Sequence, residues 1–343
     1  MNARAQSHTY TLRLLFWEST IRCNLTCAHC RRLETADTGQ ELTSGEFKRI
    51  LDSAATLGRP IIVFSGGEPL LRDDWEALAA YAAALGLPTA LATNGTMIDG
   101  DLAGRIAAAG FGRVSVSLDG ADAETHDLIR GVSGSFGRAL DGIRALRANS
   151  VQVQINCTIA AHNVHQIEAI YALAERLGAV ALHVFLLVPV GCGLQIAETH
   201  QLDPPRYEHV LRWACDRQGG ALELKATCAP HYYRIAAEAG IDVSRSRGCL
   251  CGLSVVFVSH TGVVFPCGYL PVDCGSVREQ PLADIWRGSK VFADLRDFSR
   301  LEGKCGACQY KGICGGCRAR AFAETGNYFA AEPSCTYAPK GRN

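Results

Sequence analysis

Cys23-Asn24-Leu25-Thr26-Cys27-Ala28-His29-Cys30 packs three thiols into one short stretch, directly after the apolar segment Leu12 to Trp17. A [4Fe–4S] cube takes four cysteine thiolates, so three in one loop leave one iron without a protein ligand. An open coordination position is what separates a catalytic metal site from a structural one. Zinc is the rival occupant, but its recurring signature pairs cysteines two to four apart with a second pair far downstream. A third cysteine three residues after the second does not follow that pattern. Thiols buried without metal are the plain alternative, because free cysteine is a common core residue. Leu12 to Trp17 reads as a buried strand delivering the loop at its carboxyl end.

Outward from this loop the pattern repeats. Apolar or β-branched runs at Ile61 to Phe64, Thr89 to Ala92, Val114 to Leu118, Val151 to Ile159 and Ala181 to Val188 alternate with alanine- and leucine-rich stretches near 43–57, 73–86, 99–109, 135–149 and 164–178. Strands alternating with helices imply an α/β fold with a parallel sheet. Six such units in about 190 residues suit a partial (β/α)6 TIM-like barrel better than an eightfold one, which needs ~250. Thr43 with Glu46 reads as a capping box, and Asp73 and Asp99 as N-caps. Past Pro189 the periodicity weakens, and Pro204-Pro205 opens helical stretches at 205–218 and near 231–239. From Cys249 onward the chain is rich in glycine and cysteine, with little helical pattern and too little apolar material to fold without metal. The expected division is a tail at 1–10, a barrel at 11–199, a helical connector at 200–248 and a cysteine-rich domain at 249–343.

Lys plus Arg equals Asp plus Glu, at 34 each in 343 residues, so no overall basic field argues for a nucleic-acid partner. No charged-then-apolar leader precedes Leu12 and no apolar run is long enough to span a bilayer. The expectation is a cytoplasmic protein without a membrane partner. Reducing cytosol disfavours disulfides, so sixteen cysteines, nine of them between Cys249 and Cys335, point to metal.

The polar motifs fall at the strand ends, where barrel chemistry sits. Ser65-Gly66-Gly67-Glu68-Pro69 follows the second strand; two glycines allow close approach of a ligand, and Glu68 offers an anion for an amino group. Taken alone this is a tight turn, and its place beside the thiol loop makes it a binding site. Thr93-Asn94-Gly95 and Ser115-Val116-Ser117-Leu118-Asp119-Gly120 end the third and fourth strands, although Asn-Gly and Asp-Gly are also common turn dipeptides. Arg130 is either a carboxylate clamp or a surface arginine.

Cys-x-x-x-Cys-x-x-Cys, then Gly-Gly-Glu-Pro after strand two and Ser-x-Asp after strand four, resembles the radical S-adenosylmethionine (SAM) superfamily over roughly residues 12–195. The resemblance implies that Cys23, Cys27 and Cys30 hold a [4Fe–4S] cluster whose open iron takes the amino and carboxylate groups of SAM. Gly66, Gly67, Glu68 and Pro69 would lie at that amino group and Ser117 and Asp119 near the ribose. Asn94 and Arg130 would also contact the cofactor, and the backbone near Val188 would face the adenine. His29 stands where the family carries an aromatic. An electron into the sulfonium would release a 5′-deoxyadenosyl radical, with flavodoxin or ferredoxin as external reductant.

Cys305-Gly306-Ala307-Cys308, Cys314-Gly315-Gly316-Cys317 and Cys335, with Cys249 or Cys251, Gly262 and Cys267 upstream, resemble the SPASM extension of these enzymes. Two residues rather than three separate Cys314 from Cys317. The resemblance implies two auxiliary [4Fe–4S] clusters, one on Cys305, Cys308, Cys314 and Cys335, the other on Cys249, Cys267 and Cys317; Cys228 is the candidate for its missing fourth ligand. Cys251 competes with Cys249, and zinc knuckles are the structural alternative. Cys157, Cys192, Cys215 and Cys274 read as ordinary buried thiols.

Lys225 to Arg234 and Val258 to Pro271, with Pro-Cys-Gly-Tyr-Leu-Pro and Cys-Gly-Gly-Cys-Arg-Ala-Arg, resemble the SPASM branch that acts on tetrapyrroles. The implied substrate is an Fe-porphyrin whose propionates lose carbon dioxide. His231, Tyr232, Tyr233 and Arg234 would then bind propionates or the iron, unless they merely pack a helix end. The alternatives are a maturase acting on a precursor peptide and, outside enzymes, an iron–sulfur electron carrier.

Overall fold

A computed structural model describes residues 10–32, 40–244 and 246–339. The expected tail lies outside these residues apart from Tyr10. In chain order the elements are β1 (Leu14–Glu18), α1 (Ser44–Ala55), β2 (Ile61–Ser65), α2 (Trp75–Ala84), β3 (Thr89–Thr93), α3 (Gly100–Ala108), β4 (Arg113–Ser117), α4 (Ala123–Arg130), α5 (Ser135–Ala148), β5 (Val153–Ile159), α6 (Ile167–Arg176), β6 (Ala181–Leu186), α7 (Ala197–His200), α8 (Pro204–Asp216), β7 (Glu223–Thr227), α9 (Tyr232–Glu238), β8 (Val255–Val258), β9 (Val264–Phe265), α10 (Leu282–Gly288), α11 (Lys290–Arg296), α12 (Gly303–Ala307) and α13 (Arg318–Thr325).

The strands form one sheet in the order β7-β6-β5-β4-β3-β2-β1-β8-β9, parallel throughout except that β9 runs antiparallel to β8. The six expected strands are its centre. Each edge carries a further parallel strand that the sequence pattern did not reveal. Beside β6 lies β7, Glu-Leu-Lys-Ala-Thr, from the stretch read as a helical connector. Beside β1 lies β8, from the cysteine-rich segment. Four short helices, α10 to α13, also occupy that segment, where little helix was expected.

Alternation along the strands divides the sheet into two faces. Leu15 and Trp17, Ile62 and Phe64, Val114 and Val116, Val153 and Ile155, and Leu182 and Val184 are buried under the helices. Burial of side chains this size contributes roughly 1.5–3 kcal/mol each. Their neighbours face the other way, and strands β1 to β8 all contribute to the wall of one cavity of about 1400 Å³. The sheet therefore curls round a lumen.

Side-chain caps hold the starts of α1, α3, α4 and α8. Thr43 and Glu46 form the expected capping box, and Asp99 accepts from Leu102 N. Asp73 does not cap α2; Asp74 precedes that helix, and its carboxylate binds Arg72 and Ser44. Arg72 is 8% exposed and competes for the carboxylate more strongly than backbone N–H groups do.

Candidate active site

Thiols Cys23, Cys27 and Cys30 line one end of the lumen. Their loop is held from several sides. Ala28 N donates to Ile129 O (2.9 Å) and Cys192 N to Cys30 O (2.9 Å). The turn after β6 fits closely: Gly191 has φ 56°, and a Cβ there would lie 2.7 Å from Cys30 O. Donors also face the sulfurs, with Leu25 N 3.5 Å and Asn94 Nδ2 4.0 Å from Cys23 Sγ, and Arg130 Nη1 3.7 Å from Cys27 Sγ.

Gly66 and Gly67 line the same end of the lumen. Gly67 N donates to Thr20 O and Glu68 N to Arg22 O. A Cβ on Gly67 would lie 2.1 Å from Arg22 O, so only glycine lets the two loops meet. Behind them Glu68 is fully buried and accepts from Thr93 Oγ1 (2.8 Å), Asn94 N (2.9 Å) and Leu70 N (3.3 Å). Burial pushes its carboxyl up to about 7, against the pull of these donors. A cation arriving beside it would restore the charged form. Pro69 opens the short 3-10 turn that follows, and Asn94 donates to Asn24 Oδ1.

Asp119 is fully buried and does not line the lumen. Its carboxylate stands 2.7 Å from Arg130 Nη2 and 3.1 Å from His29 Nε2, and accepts from Thr158 N (2.7 Å). Burial would raise its pKa, but Arg130 and then His29 outweigh that and hold it well below the usual carboxylate range. Asp119 thus fixes a cation beside Cys27. Arg130 is the last residue of α4, a helix absent from the sequence reading, and with Ser117 and Val188 it lines the lumen.

The wall of the lumen carries a second set of thiols. Cys228, Cys249, Cys251, Cys267 and Cys317 all line the lumen, and Cys251 stands within hydrogen-bonding reach of Cys249 and Cys267. Cys228 has φ 56°, a strain of order 1–3 kcal/mol for a non-glycine residue. Arg320 Nη2 (3.1 Å) and the Tyr207 hydroxyl (3.0 Å) donate to its carbonyl and hold it there. A third set, Cys305, Cys308, Cys314 and Cys335, surrounds a separate cavity of about 20 Å³. Cys157, Cys215 and Cys274 are buried as expected, whereas Cys192 is half-buried and lines the lumen.

His231 and Arg234 do not face the lumen; they line the small cavity instead. Arg234 is committed to Glu208 (2.5 Å) and Glu238 (2.9 Å), so only Tyr233 of that stretch reaches the large cavity. The cation that sequence reasoning missed is Arg31. It follows Cys30, lines the lumen, donates to Ser65 Oγ (2.9 Å) and stacks on Phe257 of β8, 4.5 Å from the ring centroid. Its Nη1 is shut off from water without an acceptor. Among the described residues no carboxylate pairs with it. Its only sequence signal was its place beside the third thiol.

These donor sets fit iron–sulfur clusters. Three thiols stand at an open lumen with N–H donors turned to their sulfurs, and further thiols gather in two groups. Among the described residues no three His, Cys, Asp or Glu side chains close on the point one bare metal ion would occupy, whereas ligands of a cube are spread around its corners. No helix among the described residues is long and apolar enough to cross a membrane.

Residues 17–175 match the radical SAM superfamily, and residues 249–318 match the SPASM iron–sulfur cluster-binding domain. An AdoMet-dependent heme synthase of Methanosarcina barkeri is 48% identical over 95% of this chain and 97% of its own length. One from Nitratidesulfovibrio vulgaris is 44% identical over 96% and 94%. Streptococcus suis SuiB bound to its precursor peptide SuiA superposes with a TM-score of 0.76 at 19% identity, over 96% of this chain and 76% of that one, a likeness of fold. The chain belongs to the SPASM-containing radical SAM enzymes, with a SAM-binding [4Fe–4S] cluster and auxiliary iron–sulfur clusters as its cofactors.

Proposed function

We propose that the chain oxidatively decarboxylates propionate side chains of Fe-coproporphyrin III to vinyl groups, yielding heme b. The observation that carries this reading is the near full-length likeness to heme synthases. The peptide-modifying alternative rests on more distant likenesses. The lumen suits the substrate chemically. Arg31, Arg32, Arg113, Lys225 and Arg247 line it, and guanidinium groups bind carboxylates in bidentate fashion.

When bound, the cluster and SAM supply a 5′-deoxyadenosyl radical that takes an unactivated hydrogen atom. In this reading Cys23, Cys27 and Cys30 hold that cluster. Glu68 takes the ammonium of SAM, with the backbone of Gly66 and Gly67 close against it and Pro69 fixing the turn. Arg130, oriented by Asp119, would take the SAM carboxylate, and Asn94, Ser117 and Val188 would border the rest of the molecule. Arg31 grips a substrate propionate, since no carboxylate among the described residues pairs with it. Phe16, Val63 and Phe185 line the lumen and keep water from the radical.

Loss of a hydrogen atom from the carbon next to the ring, then of carbon dioxide and one electron, converts –CH2–CH2–COO⁻ to –CH=CH2. The released electron needs an acceptor. Cys228, Cys249, Cys267 and Cys317 would hold an auxiliary cluster on the lumen wall to receive it, and Cys305, Cys308, Cys314 and Cys335 a second. An external donor of the flavodoxin or ferredoxin type supplies the first electron.

The test is anaerobic turnover of the reconstituted protein with SAM, reductant and Fe-coproporphyrin III, followed by mass spectrometry of the porphyrin. The expected result is loss of carbon dioxide and hydrogen in step with 5′-deoxyadenosine. Deoxyadenosine without any change in the porphyrin would refute the substrate. With Arg31→Gln, the KM for porphyrin should rise roughly 10- to 100-fold, as expected when a charged hydrogen-bond partner is removed, with SAM cleavage retained.

A further inference from the structure

Four buried side chains lie between the two groups of auxiliary thiols, and none of them lines the lumen. Glu332 touches both groups. Its Oε2 accepts from Cys317 N at 2.7 Å, and its own backbone N–H donates to Cys305 Sγ at 3.3 Å. Arg320 is 0% exposed, with Nη1 3.3 Å from both Glu332 oxygens and Nη2 on the carbonyl of Cys228. Tyr207 donates to the same carbonyl, and the Arg320 guanidinium lies 4.8 Å from its ring centroid. His231 stacks on Tyr207 at 4.6 Å and lines the small cavity of the second group, with neither ring nitrogen hydrogen-bonded to protein.

An ion pair this deeply buried is a poor stability device. Its desolvation cost rivals its Coulomb gain, and an apolar pair of the same volume is often as stable. Its position explains it better. Clusters on thiolates carry net negative charge, and their potentials follow nearby charge and the hydrogen bonds to their sulfurs. Here one cation and one anion stand between two such sites: Glu332 bonds to ligand segments of both, and Arg320 bonds to Glu332 and to the carbonyl of Cys228. Two hydrogen bonds also join the groups by a short path, from Cys305 Sγ through the N–H and side chain of Glu332 to the N–H of Cys317.

We propose that the Arg320–Glu332 pair is the link through which the two auxiliary centres hold their reduction potentials in step and exchange an electron. This rests on the reading of both thiol groups as cluster sites. In the exchange one centre loses an electron and the other gains it; no bond breaks and no proton moves. The centre on Cys228, Cys249, Cys267 and Cys317 faces the lumen and takes the electron left by the substrate. The one on Cys305, Cys308, Cys314 and Cys335 lies behind it and passes the electron out.

The test is potentiometric titration of the holoenzyme followed by electron paramagnetic resonance. Glu332→Gln removes an anion and leaves Arg320 unpaired, so both auxiliary potentials should rise. Arg320→Gln should lower both. Each shift should reach at least a tenfold change in the reduced-to-oxidised ratio at fixed potential, ~59 mV for one electron. Movement of one centre only, or the same direction in both variants, would overturn the proposal. Should a single variant lose a cluster, Arg320→Met with Glu332→Met leaves no unpaired buried charge. It should restore potentials near wild type while slowing exchange between the centres about tenfold, and unslowed exchange would overturn the link. Iron analysis of the wild type showing only one auxiliary cluster is a separate result, one that removes the cluster-site reading beneath.

Discussion

Asp119→Asn isolates the charge of one buried side chain. Asparagine keeps nearly the same shape and an oxygen for Thr158 N, so what disappears is the partner of Arg130 and His29. Arg130 is 9% exposed, and its Nη1 turns to the Cys27 sulfur. Removing one member of a buried ion pair costs about 3–5 kcal/mol. At ~2.1 cal/mol/K per residue, unfolding of 343 residues carries an entropy of about 0.7 kcal/mol/K, so ~4 kcal/mol lowers Tm by about 6 °C. Scanning fluorimetry of the anaerobic protein reads this directly. The pH dependence is also fixed. Arg130 and His29 hold the folded-state pKa below the unfolded value, so the stabilisation is complete above pH ~4 and lost only as pH falls below that. The gap between wild type and variant should close in strong acid. A Tm change under about 1 °C, with the loss confined to SAM affinity, would refute the positioning role and return Asp119 to the ribose.

Glu68 offers a pH test of opposite sign. Burial raises its folded-state pKa to about 7, so its contribution to stability is present at low pH and lost as pH rises through 7. If the ammonium of SAM restores its charge, SAM binding near pH 6.5 releases a proton, detectable by calorimetry in buffers of different ionisation enthalpy; Glu68→Gln should abolish the release. Gly67→Ala puts a Cβ 2.1 Å from a backbone oxygen and should cost SAM binding and iron loading together, as iron analysis would show. Cys228→Ser should lose about four iron atoms per chain, one cube, whereas Cys251→Ser should keep them. Iron lost in Cys251→Ser and kept in Cys228→Ser would exchange their roles.

The six central strands, the thiol loop and the helix caps at Thr43 and Asp99 were legible because each rests on local periodicity or spacing. What escaped depends on partners distant in sequence. Strand β7 has only five residues, alternately exposed and buried, and β8 comes from a segment whose glycines and cysteines mask its pattern; each becomes a strand by pairing with the edge of a sheet already made. Asp119 was read as a ligand because it ends a strand. Its burial follows from Arg130 and His29, which no pattern in the strand announces. Arg234 looked available for substrate because Glu208 lies 26 residues upstream. Arg31, its replacement as the lumen cation, owes its place to Ser65 and Phe257 on two other strands. The grouping of Cys249, Cys267 and Cys317 was implied by family likeness, with Cys228 a candidate to complete it; all three, with Cys228 and Cys251, line the lumen.

The central claim is that a radical formed at the Cys23–Cys30 loop takes its hydrogen from a porphyrin propionate in the lumen. Fe-coproporphyrin III deuterated at the propionate carbon next to the ring, turned over anaerobically with SAM, tests it in one measurement. Deuterium should appear in the 5′-deoxyadenosine, in proportion to the vinyl groups formed and not at all with Cys30→Ala. Unlabelled deoxyadenosine alongside decarboxylated porphyrin would contradict the account.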